Sequence, residues 1–137
     1  VIMLLIMGGG LSIVIFDMMF NMTERVGIAE YWITAVCIAT LFACIPNLMI
    51  IIHGFAFFSK WNIYNCAFQL GVTISGFMYL GLELWPLHVA SILFPSLCVL
   101  ALRSTSYQQF VEYYYHLQTN RKSEHKELKV AMERLNK

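Results

Sequence analysis

Polar side chains set inside long apolar runs are where this sequence could do chemistry. Six stand out: Asp17, Asn47, His53, Gln69, Glu83 and His88. A polar or ionisable group at membrane depth is costly, which makes each of them a functional candidate by default. Asp17, Glu83 and His88 fall at the same end of their respective runs. With Trp85 they are expected to line an outward-facing ligand pocket, and a carboxylate facing a histidine is the arrangement of a proton or cation sensor. His53 sits at the opposite end from His88, so the two cannot share one haem iron. No His, Cys, Asp or Glu group has zinc spacing. Cys37, Cys44, Cys66 and Cys98 lie in apolar runs without a C-x-x-C pair and read as small buried hydrophobes. No cofactor is expected. The sequence contains no G-x-S-x-G, H-E-x-x-H or Walker loop, and it is read as non-enzymatic.

The elements that must position these residues follow from composition. Of 137 residues, 59% are hydrophobic and only 12% charged, against roughly 25% charged in a soluble domain. So small a globule cannot hide this much apolar surface from water, whereas a bilayer takes it up. Residues 1–102 carry Arg25 and Lys60 against Asp17, Glu24, Glu30 and Glu83, a net of −2; residues 103–137 carry seven basic against four acidic residues, a net of +3. The chain therefore divides into a transmembrane domain, 1–103, and a cytoplasmic helix, 104–137. A net charge this close to zero offers nothing to nucleic acid.

Four runs are each near the roughly 20 apolar residues that a spanning helix needs: 1–20, 31–52, 61–82 and 84–102. They are apolar on all sides, which suits helices and not the alternating strands of a barrel. The fold class is all-α, a polytopic membrane protein of about four transmembrane helices with a C-terminal amphipathic or coiled-coil helix. Segment 21–30 reads as a loop, and its Asn21-Met22-Thr23 sequon as chance. Lys60 and the basic residues from Arg103 onward fall on one side, which the positive-inside rule makes cytoplasmic, with both termini there. Tyr31, Trp32, Trp61, Tyr64 and Trp85 sit near the interfaces, where amphipathic rings prefer to be. The expected location is a bacterial inner membrane. Val1 opens the first run with no basic flank, so no signal peptide is read and upstream residues are expected.

Small residues recur every fourth position at Ala35, Ala39 and Ala43, and again at Ala67, Gly71 and Ser75. Such rows let two backbones approach closely in lipid. Either the second and third helices pack through them, or one row serves an oligomer interface. Pro46 and Pro95 lie inside their runs and predict kinks.

The tail carries a 4-3 series, Phe110, Tyr114, Leu117, Arg121, Glu124, Leu128, Ala131 and Leu135, the spacing of a coiled-coil seam. A surface-lying helix anchored by Tyr107, Phe110, Tyr113, Tyr114 and Tyr115 is the alternative. Leu117-Gln118-Thr119-Asn120-Arg121-Lys122-Ser123-Glu124, followed by 128–135, resembles the linker of bacterial membrane sensors. There, several spanning helices lead through a charged helix to a histidine kinase or cyclase domain. The resemblance covers about 30 residues and implies a receptor-like input module for signal transduction, with an output domain after Lys137. Three functions are open from the residues: a sensing or signal-transmitting module, an oligomeric small channel, and an anchor subunit of a larger membrane complex. The expected partners are the lipid bilayer, further copies of the chain or other subunits, and a cytoplasmic partner on 104–137.

Overall fold

The computed structural model describes residues 1–135. Residues 136–137 of the tail lie outside it. Six α-helices follow in order: α1 (Ile2–Phe20), α2 (Met22–Val26), α3 (Ile28–His53), α4 (Phe58–Leu80), α5 (Trp85–Arg103) and α6 (Thr105–Leu135), with a 3₁₀ turn at Leu82–Leu84 before α5. The fold is all-α.

Each helix ends where the sequence supplies a terminator. Asn21 takes a left-handed conformation (φ 48°), and its N–H closes α1 onto the Asp17 carbonyl at 2.7 Å. Gly54 does the same for α3 at φ 70°. Glycine is the residue that accepts such angles without a Cβ penalty. Pro86 stands in the first turn of α5, where its missing N–H is not needed. Only Ser104 separates α5 from α6; its Oγ accepts from the Tyr107 N–H at 3.3 Å and starts the new helix. Helices α3 and α5 run through Pro46 and Pro95 without a break. Pro46 cannot donate to the Phe42 carbonyl. Asn65 Nδ2 donates to that oxygen instead, at 3.4 Å.

Segment 21–30 is more ordered than the loop expected. Asp17 accepts two hydrogen bonds from Thr23, from its N–H at 2.7 Å and its hydroxyl at 2.6 Å, and this wraps Met22–Val26 into a helical turn. Helix α3 then starts at Ile28, three residues before the apolar run itself.

Helices α1, α3, α4 and α5 form an up-and-down bundle with α4 packed on the other three. The burial pattern is inverted relative to a water-soluble bundle. Met78 is 83% exposed, and Phe68, Ile33 and Tyr79 are also largely outside. Asn62 and Thr73 are fully buried. Large apolar side chains cover the outside and polar ones the inside, as hydrocarbon demands. Helices α1, α3 and α5 are long and apolar enough to cross a membrane. The protein is thus a membrane-associated all-α protein. Helix α4, at 23 residues, has the length but is not among these three, because Asn62, Asn65, Gln69 and Thr73 interrupt its apolar character.

The two small-residue rows part company. Ala39 and Ala43 turn inward, and a Cβ on Gly9 of α1 would rest 3.5 Å from Ala39 Cβ, so that row and Ala35 lie toward α1. Ala67, Gly71 and Ser75 are exposed, and nothing lies within 4 Å of where a Gly71 Cβ would be. Helices α3 and α4 do pack, but through Asn47, Asn62 and Asn65 rather than through that row. Only one face of α4 can point inward. Burying its amides spares them the hydrocarbon, at the expense of the small residues.

Candidate functional site

Helix α4 presents one buried row, Asn62, Cys66, Gln69, Thr73 and Gly76. The facing row on α5 is His88, Ser91, Pro95, Cys98 and Leu102. The helices are antiparallel, and three contacts set their register. His88 Cε1 lies 3.7 Å from the position of a Gly76 Cβ. Gln69 and Pro95 both close on Gly8 of α1. Cys66 and Cys98 are buried in one packed cluster with Leu5 of α1. Thr73 therefore stands level with Ser91, and Asn62 with Leu102.

The hydrogen bonds along this interior tie the helices together. At the end next to α6, Asn62 Nδ2 donates to Asn47 Oδ1 at 3.1 Å and to Tyr107 Oη of α6 at 3.0 Å, while Asn47 Nδ2 donates to the Ala43 carbonyl at 2.9 Å. Midway, Gln69 Nε2 crosses to α1 and donates to the Leu5 carbonyl at 3.0 Å. Ser12 and Thr73 donate back to carbonyls of their own helices, Gly8 and Gln69, both at 2.9 Å. Toward the end away from α6 the bonding stops. Gln69 Oε1, Ser91 Oγ and both ring nitrogens of His88 are buried without a partner. His88 is 2% exposed and Ser91 1%. Its imidazole meets Phe77 edge-on with centroids 5.5 Å apart. A buried polar atom left unpaired costs about 1–3 kcal/mol, so three such side chains in one interior call for an explanation.

The four residues expected to form an outer pocket are placed differently from one another. His88 turns into the bundle. Glu83 and Trp85 are exposed. Asp17 is half-buried, with both carboxylate oxygens engaged by Thr23. Two grooves lie along α6: one of about 310 Å³ bounded by Ala56, Ser59, Tyr107 and Glu112, and one along Lys126–Arg134. Position along the chain put the four at one end of the bundle, but the helical phase of His88 differs from that of Trp85. His53 is exposed and stacks on Phe55. Among the described residues no cluster of three or more His, Cys, Asp or Glu could hold a metal.

Sequence reasoning missed Ser12, Asn62, Thr73 and Ser91, and offered Tyr107 only as an anchor at the membrane surface, whereas it is buried on Asn62. The signal was present as a polar and small period at 62, 66, 69, 73 and 76, masked by reading each residue singly against its apolar neighbours.

Helix α6 is seated on one end of the bundle along its first half. A Cβ on Gly54 would come within 3.1 Å of the Tyr114 carbonyl, and Gln118 Nε2 donates to the Ile51 carbonyl at 3.0 Å. Lys122 Nζ lies 5.5 Å over the Phe55 ring, within cation–π range. From Thr119 to Arg134 every residue is exposed. Burial pushes the Tyr107 hydroxyl above the ordinary tyrosine range, and the hydrogen bond from Asn62 only partly offsets this. The folded state thus holds the phenol proton more tightly than the unfolded one. The stability gained is complete below pH 10.0, the ordinary value, and is lost as pH rises through the folded value.

No family model, no curated protein and no solved structure matches the chain.

Proposed function

We propose that this chain is a non-enzymatic integral membrane module that crosses the bilayer four times, with both termini cytoplasmic, and passes changes in the packing of its bundle to α6. The observation that carries this reading is the hydrogen-bonded link Asn47–Asn62–Tyr107, buried where α3, α4 and α6 meet. A shift of α3 against α4 would change what Tyr107 is offered. The seat around Gly54 would carry that change along α6, whose exposed second half is free to meet a cytoplasmic partner or a second copy. Any stimulus must bind two packings of the bundle with different affinity. Lys60 and the basic residues of α6 lie at the end taken as cytoplasmic, in keeping with the positive-inside rule.

Tyr107→Phe keeps the ring and removes only the hydroxyl that Asn62 meets. In the full chain in lipid nanodiscs, amide exchange over 105–118 is expected to rise by severalfold, with exchange over 2–20 unchanged. The expected cost is about 1 kcal/mol, because hydrogen bonds between helices in membranes average about 0.6 kcal/mol and rarely exceed 1.7. Unchanged exchange in α6 would remove the basis for coupling.

A second reading, an oligomeric channel subunit, is favoured by the exposed Ala67–Gly71–Ser75 row, which would let a neighbouring copy come close. Counting copies in mild detergent separates the two. A dimer fits the transmitting module, four or more copies fit the channel, and a stable complex with an unlike chain points to an anchor subunit.

A further inference from the structure

The orphan atoms at the outer end and the bonded amides at the inner end belong to one interior row. On α4 it runs from Asn62 to Gly76, about 21 Å at 1.5 Å per residue, most of the thickness of a hydrocarbon core. From the inner end the stations are Tyr107 with Asn62 and Asn47, then Cys66 level with Cys98, then Gln69, then Thr73 level with Ser91, then His88. Successive stations are three or four residues apart, roughly 4.5–6 Å, which one bridging water with two hydrogen bonds of about 2.8 Å can span. Pro95 has no N–H for the Ser91 carbonyl, so a backbone acceptor joins the Ser91 hydroxyl at that level. The unpartnered atoms His88 Nδ1 and Nε2, Ser91 Oγ and Gln69 Oε1 all lie in this row.

We propose that this interior is a proton path through the bundle, with His88 as its outer relay and the Asn62–Tyr107 pair at its inner end. The inference stands on the bundle interior and does not depend on coupling to α6. Imidazole suits the outer station because one nitrogen can accept a proton while the other releases one. The hydroxyls and water carry the proton by exchanging hydrogen bonds, and the amides of Asn62 and Gln69 orient that water, with no net chemistry. Facing His88 are Gly76 and Phe77 from α4 and Ile15 from α1, none of them charged. The other buried titratable groups on the row are Cys66, Cys98 and Tyr107. Asp17 is held by Thr23, and Glu83 is exposed.

The test uses the full chain in vesicles of phosphatidylcholine and phosphatidylglycerol loaded with a pH-reporting dye. A potassium diffusion potential set by valinomycin drives protons inward. Wild-type vesicles are expected to acidify faster than protein-free ones. His88→Gln, which keeps hydrogen bonding but has no basic nitrogen, and Ser91→Ala are expected to fall to the protein-free rate. Ser75→Ala, on the outer face, is expected to match wild type. Each variant is checked for an unchanged gel-filtration profile and helix content, and His88→Ala replaces His88→Gln if the latter fails that check. Three results would overturn the proposal: wild-type vesicles no faster than protein-free ones, His88→Gln as fast as wild type, or an equal flux of sodium, which would mean a hole in the bilayer.

Discussion

Gly76→Val is expected to lower the stability of the bundle by about 1–3 kcal/mol or more, the range for forcing extra carbon into a packed core. A Cβ at this position runs directly into the Ile15 Cγ2 methyl of α1. Ile15 is fully buried and β-branched, so it has few rotamers into which to retreat, and α1 must move away from α4 instead. The helix propensity regained by replacing glycine, about 0.5–1 kcal/mol, is too small to compensate. His88 borders the same gap, so the outer end of α5 is expected to loosen with it. The measurement is unfolding of the full chain in detergent micelles, by heat or by added dodecyl sulfate, followed by helix content. Adding Ile15→Ala to Gly76→Val should recover much of the loss, although Ile15→Ala alone is expected to destabilise by about 2–5 kcal/mol. A large favourable coupling in that cycle is the signature of direct contact. Strictly additive effects would mean that α1 and α4 do not meet here.

Gly54→Val should release α6. Two costs add. A β-branched residue at φ 70°, ψ 23° sits in a left-handed conformation that costs about 1–2 kcal/mol for ordinary residues, and the branch makes it worse. Its Cβ would also lie 2.9 Å from Gln118 Cβ and 3.1 Å from the Tyr114 carbonyl, which pushes α6 off its seat and breaks the bond from Gln118 to Ile51. Every 1.4 kcal/mol is a factor of about ten, so amide exchange over 105–118 is expected to quicken by more than about tenfold while α1 and the outer half of α5 keep their protection. Gly54→Asn separates the two costs, because asparagine tolerates the left-handed region but still meets Gln118. An intermediate effect is expected from it. If Asn and Val behaved alike, the steric clash would be the whole cause. If neither moved α6, the seat would not hold it.

What the chain alone determined is its class, all-α with long apolar helices. Apolar runs of about 20 residues are enough to specify helices, because backbone groups in hydrocarbon must be satisfied within each segment, whereas the stops at Gly54 and Gly81 became visible only in the folded chain. The change of charge near Arg103 was likewise readable. Tertiary structure decided which face of each helix points inward. Helix α4 carries a small-residue row and a polar row, and its sequence has no marker to rank them. Only the presence of Asn47, Tyr107 and the Leu5 carbonyl as partners made the amide row the inner one. The same holds for His88. Its distance along α5 was evident, but its neighbours, Ile15 of α1 and Gly76 of α4, come from 73 and 12 residues away in the chain. A buried imidazole beside a surface Trp85 is a matter of helical phase and packing, and phase acquires meaning only when the other helices are in place.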